Sequence, residues 1–157
     1  MAPILGLAAS MPAIGQARAA VRAFRERMAE RILYGTMSRQ SEKPAAQIRL
    51  ARAEVQVRQT ELLVRDVVRE VMERRDEATL EERGRWLASY AYAVDQSKRV
   101  LQSIAEASGA HAHFQSHPLQ RAVRDANTMA CHVVFDLDGR LETYGRAMLG
   151  LEPNGML

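Results

Sequence analysis

Apolar residues recur every three to four positions through most of the chain, the spacing of one helix face and not of a strand. In the first stretch Ile14, Ala17, Val21, Phe24 and Met28 share a stripe, which predicts a helix over residues 4–33, bent at Pro12. Tyr34-Gly35-Thr36 ends it, and the polar run 37–43 is a loop. Pro44 stands where a helix tolerates proline best, at a position whose N–H has no partner anyway. The helix it opens, over 44–75, carries Ile48, Ala51, Val55, Leu62, Val67 and Met72 on one broad stripe, read as the core face. Thr79-Leu80-Glu81-Glu82 has the form of a capping box. It starts a third helix over residues 80–108 whose core positions are Trp86, Tyr90, Ala93, Val100 and Ile104, with Gly109 as its C-terminal stop. His117-Pro118 opens a last long helix, expected to run at least to Phe135, with a break at Asp138-Gly139 before residues 141–149 and a close at Gly150 and Pro153. Four helices with short links describe an all-α, antiparallel four-helix bundle, and residues 1–157 make one domain.

Composition narrows the class without changing it. The net charge is +3, from 22 basic and 19 acidic residues. Opposite charges are interleaved, as in Glu73-Arg74-Arg75-Asp76-Glu77, so the charges read as solvated helix faces and nucleic acid is not an expected partner. A single cysteine, Cys131, excludes an internal disulfide and fits a reducing cytoplasm; its apolar setting predicts a small buried side chain. No run approaches the ~20 uninterrupted apolar residues of a membrane span. A soluble cytoplasmic protein is expected.

Two places carry candidate chemistry. His111, His113 and His117 crowd one loop, but no second cluster of ligand-type residues accompanies them, and the Glu-x-x-His turns of a di-iron bundle are absent, so no metal is expected. His132 is placed well inside the last helix, where Asp125, Thr128, His132 and Asp136 recur at helical spacing and Arg121 lies one turn before Asp125. Spacing alone leaves two readings open: a buried polar seam between helices, or a histidine lining a pocket with Asp136 orienting its imidazole.

The segment Glu106-Ala-Ser-Gly-Ala-His-Ala-His-Phe-Gln-Ser-His-Pro-Leu-Gln-Arg-Ala-Val-Arg-Asp-Ala126 resembles the C-terminal domain of the acyl-CoA dehydrogenase superfamily. In that family a glycine-containing loop precedes a Pro-Leu-Gln-Arg type entry and an Arg-Asp-Ala helix. Pro44-Ala-Ala-Gln47 with Leu50-Ala51 resembles the family's second-helix entry, and Tyr144-Gly145-Arg146 with Gly150-Leu-Glu-Pro153 resembles its tail. Where dehydrogenases carry Ile-Tyr-Glu-Gly-Thr, with the carboxylate that abstracts the substrate α-proton, this chain reads Met129-Ala-Cys-His-Val-Val134. A histidine there is similar to the flavin-dependent monooxygenases of the same fold, which take reduced flavin from a separate reductase and hydroxylate aromatic or related small molecules.

The resemblance therefore implies His132 as the catalytic residue, deprotonating the substrate or supporting the oxygenating flavin. It implies Ser108 and Gly109 as the loop approaching cofactor phosphates of a neighbouring subunit, with Arg39 and Gln47 as further cofactor contacts. It implies reduced FAD or FMN as cofactor, a flavin reductase as partner, and a homotetramer. The family's N-terminal helical and β-barrel domains are absent from this sequence, so the chain alone is expected to lack activity. Two alternatives stand beside this reading. One is a stand-alone helical interaction module, or a split or degenerate subunit without catalysis. The other is an acyl-CoA dehydrogenase-like oxidoreductase.

Overall fold

A computed structural model describes residues 2–155 and 157. It contains five α-helices: α1 (Ala2–Glu30), α2 (Pro44–Arg74), α3 (Leu80–Ser108), α4 (Pro118–Ala130) and α5 (Leu137–Met148). Single 3-10 turns stand at Gln40–Glu42, Ala110–His113 and Val133–Phe135. The helical bundle expected from periodicity is present. Among the described residues the only extended pairing is one antiparallel bridge, Ile32 to Arg39, across the α1–α2 loop.

Helix α3 is the axis of the bundle and packs against the other four helices. Its burial follows from composition: small Ala and Ser alternate with Trp86, Tyr90, Val94, Leu101 and Ile104, so neighbours approach closely on more than one side. Its start is the expected capping box. The Glu82 N–H donates to Thr79 Oγ1 at 3.2 Å and the Thr79 N–H donates to Glu82 Oε2 at 2.8 Å. Its end is Gly109, whose φ of +74° and ψ of −175° suit glycine alone.

The α1 stripe is core as read, with Ile14, Ala17, Val21, Phe24 and Met28 all buried. Pro12 lies within α1 without ending it. By length and composition the stretch Ile4–Glu30 could cross a membrane, but a third of its most apolar window is buried inside the bundle. The buried stripe packs against α3.

Three expectations are corrected. First, of the α2 stripe only Val67 is buried, whereas Ile48, Val55, Leu62 and Met72 are exposed. The core face is instead Ala53, Val57, Val64, Val67 and Val71, together with Thr60. Helix α2 is apolar on two sides, and the side with smaller residues fits the close approach to α3. Second, the last long helix stops at Ala130, and Asp138-Gly139 lies inside the first turn of α5 instead of breaking a helix. Third, Cys131 is exposed, because it caps α4 at this corner.

Candidate functional site

The corner between α4 and α5 is built by residues 131–136. At the end of α4 the Cys131 N–H is shared between the Asn127 and Thr128 carbonyls, and the His132 N–H tightens to Met129 O at 3.0 Å. His132 then turns to extended backbone, φ −76° and ψ 136°. The Phe135 N–H returns to His132 O at 2.7 Å, closing a 3-10 turn. Phe135 anchors the corner, buried in a cluster with Val64, Val67, Trp86 and Tyr90. The β-branched pair Val133-Val134 fits a helix interior poorly, and burial of Phe135 outweighs continuing the ladder.

His132 is therefore exposed at a helix junction and not inside a helix, and Asp125, Thr128, His132 and Asp136 share no continuous helix face. Its Nδ1 accepts the Val134 N–H at 3.2 Å. Asp136 does not take the orienting role expected of it. Its carboxylate lies over Gly139, where a Cβ would stand 2.7 Å from Asp136 Oδ2. Arg140, from α5, donates from Nε to Val134 O at 3.1 Å and from Nη2 to Val133 O at 3.5 Å.

The loop at the other end of α4 has its own organisation. Arg31 Nη1 donates to Ala107 O at 3.1 Å, Ser108 O at 3.0 Å and Gln40 Oε1 at 3.3 Å, and buried Gln40 donates to Ala107 O at 2.9 Å. A guanidinium on the last carbonyls of α3 satisfies acceptors that have no helical partner and faces the negative end of the helix dipole. Gly109 makes room for it. Arg31 and Gln40 were missed in the sequence, since an isolated arginine before a loop carries no pattern of its own. Ser108 is buried, with its hydroxyl donating to Ile104 O at 2.8 Å, so the polar group it offers the loop is backbone. Arg39 is exposed beside this loop, and exposed Gln47 uses its amide on Ser41 O at 2.8 Å.

A groove of about 790 Å³ runs between α1, the end of α3 and the start of α4, lined among others by Phe24, Arg27, Ser108, His117 and Leu119. His117 Nδ1 accepts the Leu119 N–H at 3.1 Å, capping α4. Burial and the nearby His111 and Arg27 push its imidazole pKa down. His111 and His117 meet edge to face, ring centroids 5.0 Å apart. Among the described residues no three His, Cys, Asp or Glu side chains converge as a metal site would require. Arg121 pairs with Asp125 at 3.6 Å, one turn apart on α4.

The fold and these two ends of α4 define an acyl-CoA dehydrogenase-type C-terminal helical domain. The profile of the acyl-CoA dehydrogenase C-terminal domain family matches residues 7–137, and the chain belongs to that family. It is 31% identical over 153 residues to the oxygenase component of an FADH(2)-dependent resorcinol hydroxylase of Rhizobium sp. (strain MTP-10005), covering 90% of this chain and 37% of that one. It is likewise 31% identical over 141 residues to a pigment production hydroxylase of Rhodococcus sp. (strain ATCC 21145), covering 88% and 36%. The structure of XiaF from Streptomyces sp., in complex with FADH2 and glycerol, superimposes with a TM-score of 0.91 at 23% identity, covering 99% of this chain and 40% of that chain; it shows the shared fold. The chain thus spans little more than a third of the length of the curated relatives it matches.

Proposed function

We propose that this chain is the C-terminal flavin-site and assembly domain of a two-component, flavin-dependent monooxygenase that hydroxylates an aromatic or related small molecule. The observation that carries this reading is His132. It stands exposed on an anchored corner, in a segment, residues 129–134, that holds no carboxylate where the dehydrogenases have their base. The names of the two curated relatives, both hydroxylases, support the same chemistry.

The loop around Gly109 fits a flavin's phosphates. It combines a backbone without a side chain, the Arg31 guanidinium against it, and exposed Arg39 nearby. Reduced FAD or FMN, supplied by a separate reductase, brings the oxygen-activating chemistry when bound. The protein's own part is to present an imidazole at the α4–α5 corner, within reach of a substrate or cofactor held by the assembled enzyme. The two ends of the 13-residue helix α4 are ~20 Å apart at 1.5 Å per residue, so the phosphate loop and His132 need not serve the same flavin molecule. A homotetramer, in which the loop reaches a neighbour's cofactor, accommodates both, and the cytoplasm is the proposed location.

Flavin titration with and without a co-expressed partner carrying the other domains tests the reading: binding is expected with the partner, and none in either case overturns it. In the reconstituted enzyme His132→Ala should lower hydroxylation by roughly 10²–10⁴-fold with the fold intact. Unchanged turnover would remove His132 from the reaction.

A further inference from the structure

The hydrogen bonds at the α4–α5 corner specify which nitrogen of His132 carries the proton. Nδ1 accepts the backbone N–H of Val134 at 3.2 Å, so Nδ1 holds a lone pair and the neutral ring must be protonated at Nε2. An imidazolium would set one N–H against another, so leaving this tautomer means giving up the Val134 bond. The donor is in turn held in place. Arg140 binds Val134 O at 3.1 Å and Val133 O at 3.5 Å, gripping both carbonyls of the turn, and buried Phe135 pins its far end. An exposed side chain bonded to a backbone two residues on would ordinarily compete with water. Here the turn that presents the donor is clamped from a second helix.

We propose that His132 works as an Nε2–H hydrogen-bond donor, not as a base at Nε2, and that Arg140 is the positioning residue that maintains this tautomer. The proposal rests on the reading of His132 given above and adds the direction of its hydrogen bond. A base at Nε2 would require the opposite tautomer, for which the corner offers no support at Nδ1. The ring hydrogen on Nε2 is instead available to an oxygen acceptor on the substrate or the cofactor. Arg140 acts through the peptide groups of residues 133 and 134, with a charge-assisted hydrogen bond stronger than a neutral one.

The same arrangement recurs at His117, whose Nδ1 accepts the Leu119 N–H at 3.1 Å far from Arg140 along the fold. That histidine is an internal reference. Long-range proton–nitrogen correlation spectra of the uniformly ¹⁵N-labelled chain, recorded above the range of histidine titration, read each ring's tautomer directly. Both His132 and His117 should give the Nε2–H pattern. In Arg140→Ala the His132 pattern should shift towards averaged tautomers while His117 is unchanged, and Arg140→Lys should recover part of the shift. Backbone amide signals outside residues 131–140 confirm the fold, and Arg140→Gln serves if the alanine variant does not fold. An Nδ1–H pattern for His132 in the parent chain, or an unaltered pattern in folded Arg140→Ala or Arg140→Gln, overturns the proposal. The spectra need neither flavin nor substrate, so their failure leaves the hydroxylation test of His132 standing. Unchanged turnover in His132→Ala beside the expected spectra would remove the functional reading and not the geometry. In the reconstituted enzyme Arg140→Ala should lower kcat by on the order of 10-fold with little change in KM, the signature of a misaimed group rather than weaker binding.

Discussion

The Arg31 guanidinium occupies the space that a side chain at Gly109 would need: a Cβ built there stands 2.8 Å from Arg31 Nη2. The same guanidinium holds the Ala107 and Ser108 carbonyls, so the glycine, the arginine and the end of α3 form one unit. Gly109→Ala meets both this collision and a backbone region that is essentially glycine-only, and should cost about 1–3 kcal/mol in urea denaturation. It should also weaken flavin binding in the assembled protein. An unshifted urea midpoint would mean that the loop can turn without a positive φ.

Tyr90 and Trp86 lie one turn apart on α3, both fully buried, and differ in how their polar atoms are served. Trp86 Nε1 donates to Glu70 Oε2 at 2.7 Å, which Arg85 also binds. Among the described residues the Tyr90 hydroxyl meets no hydrogen-bond partner, and burial, with the negative Glu70, pushes its pKa up to about 12. Tyr90→Phe should therefore leave stability within about 1 kcal/mol of the parent or raise it, whereas Glu70→Ala, which strands the indole N–H, should cost about 1–3 kcal/mol. Equal losses from the two substitutions would show that the Tyr90 hydroxyl is paired after all.

His117 makes stability depend on pH on the acid side of neutrality. Its pKa in the folded chain lies below the ordinary 6.5, because burial, His111 and Arg27 all disfavour the imidazolium. The unfolded chain takes up this proton first as pH falls. The contribution is thus fully present above about 6.5 and is lost as pH drops through the folded pKa. His117→Asn keeps an N-cap acceptor for α4 but does not titrate. Urea denaturation at pH 7.5 and 5.5 should show a smaller drop in this variant than in the parent. Identical drops would exclude His117 as the source.

The exposed stripe of α2 places Ile48, Val55 and Leu62 seven residues apart, facing away from the core. Apolar side chains at that repeat suit another helix, and in the proposed assembly a second copy of the chain covers them. Leu62→Glu should shift light-scattering mass towards the monomer and leave circular dichroism unchanged. A parent chain that is already monomeric would sink the proposal.

Most of the bundle was legible in the sequence because its signals are local. The α1 and α3 stripes, Pro44 and Pro118 at helix starts, the Thr79–Glu82 box and the Gly109 stop each depend on residues within a few positions of one another. The family resemblance was equally local, carried by the Gly109 loop and the Arg124-Asp125-Ala126 helix. Where the reading failed, the deciding partner was distant in sequence. Helix α2 has apolar residues on two sides, and periodicity cannot say which side meets α3. The break after Ala130 comes from burying Phe135 beside Trp86 and Tyr90, which outweighs an unbroken helical ladder. His132, a candidate from the sequence alone, owes its exposure and the direction of its proton to that break and to Arg140 on the next helix. Likewise the need for glycine at 109 was visible as a helix stop, but the cation that fills its missing side chain comes from Arg31, just past the end of α1 and distant in sequence. The sequence by itself determined the helices, their caps and the family. Tertiary structure decided which faces are buried and how the two ends of α4 are held, because packing and long-range hydrogen bonds select among locally equivalent choices.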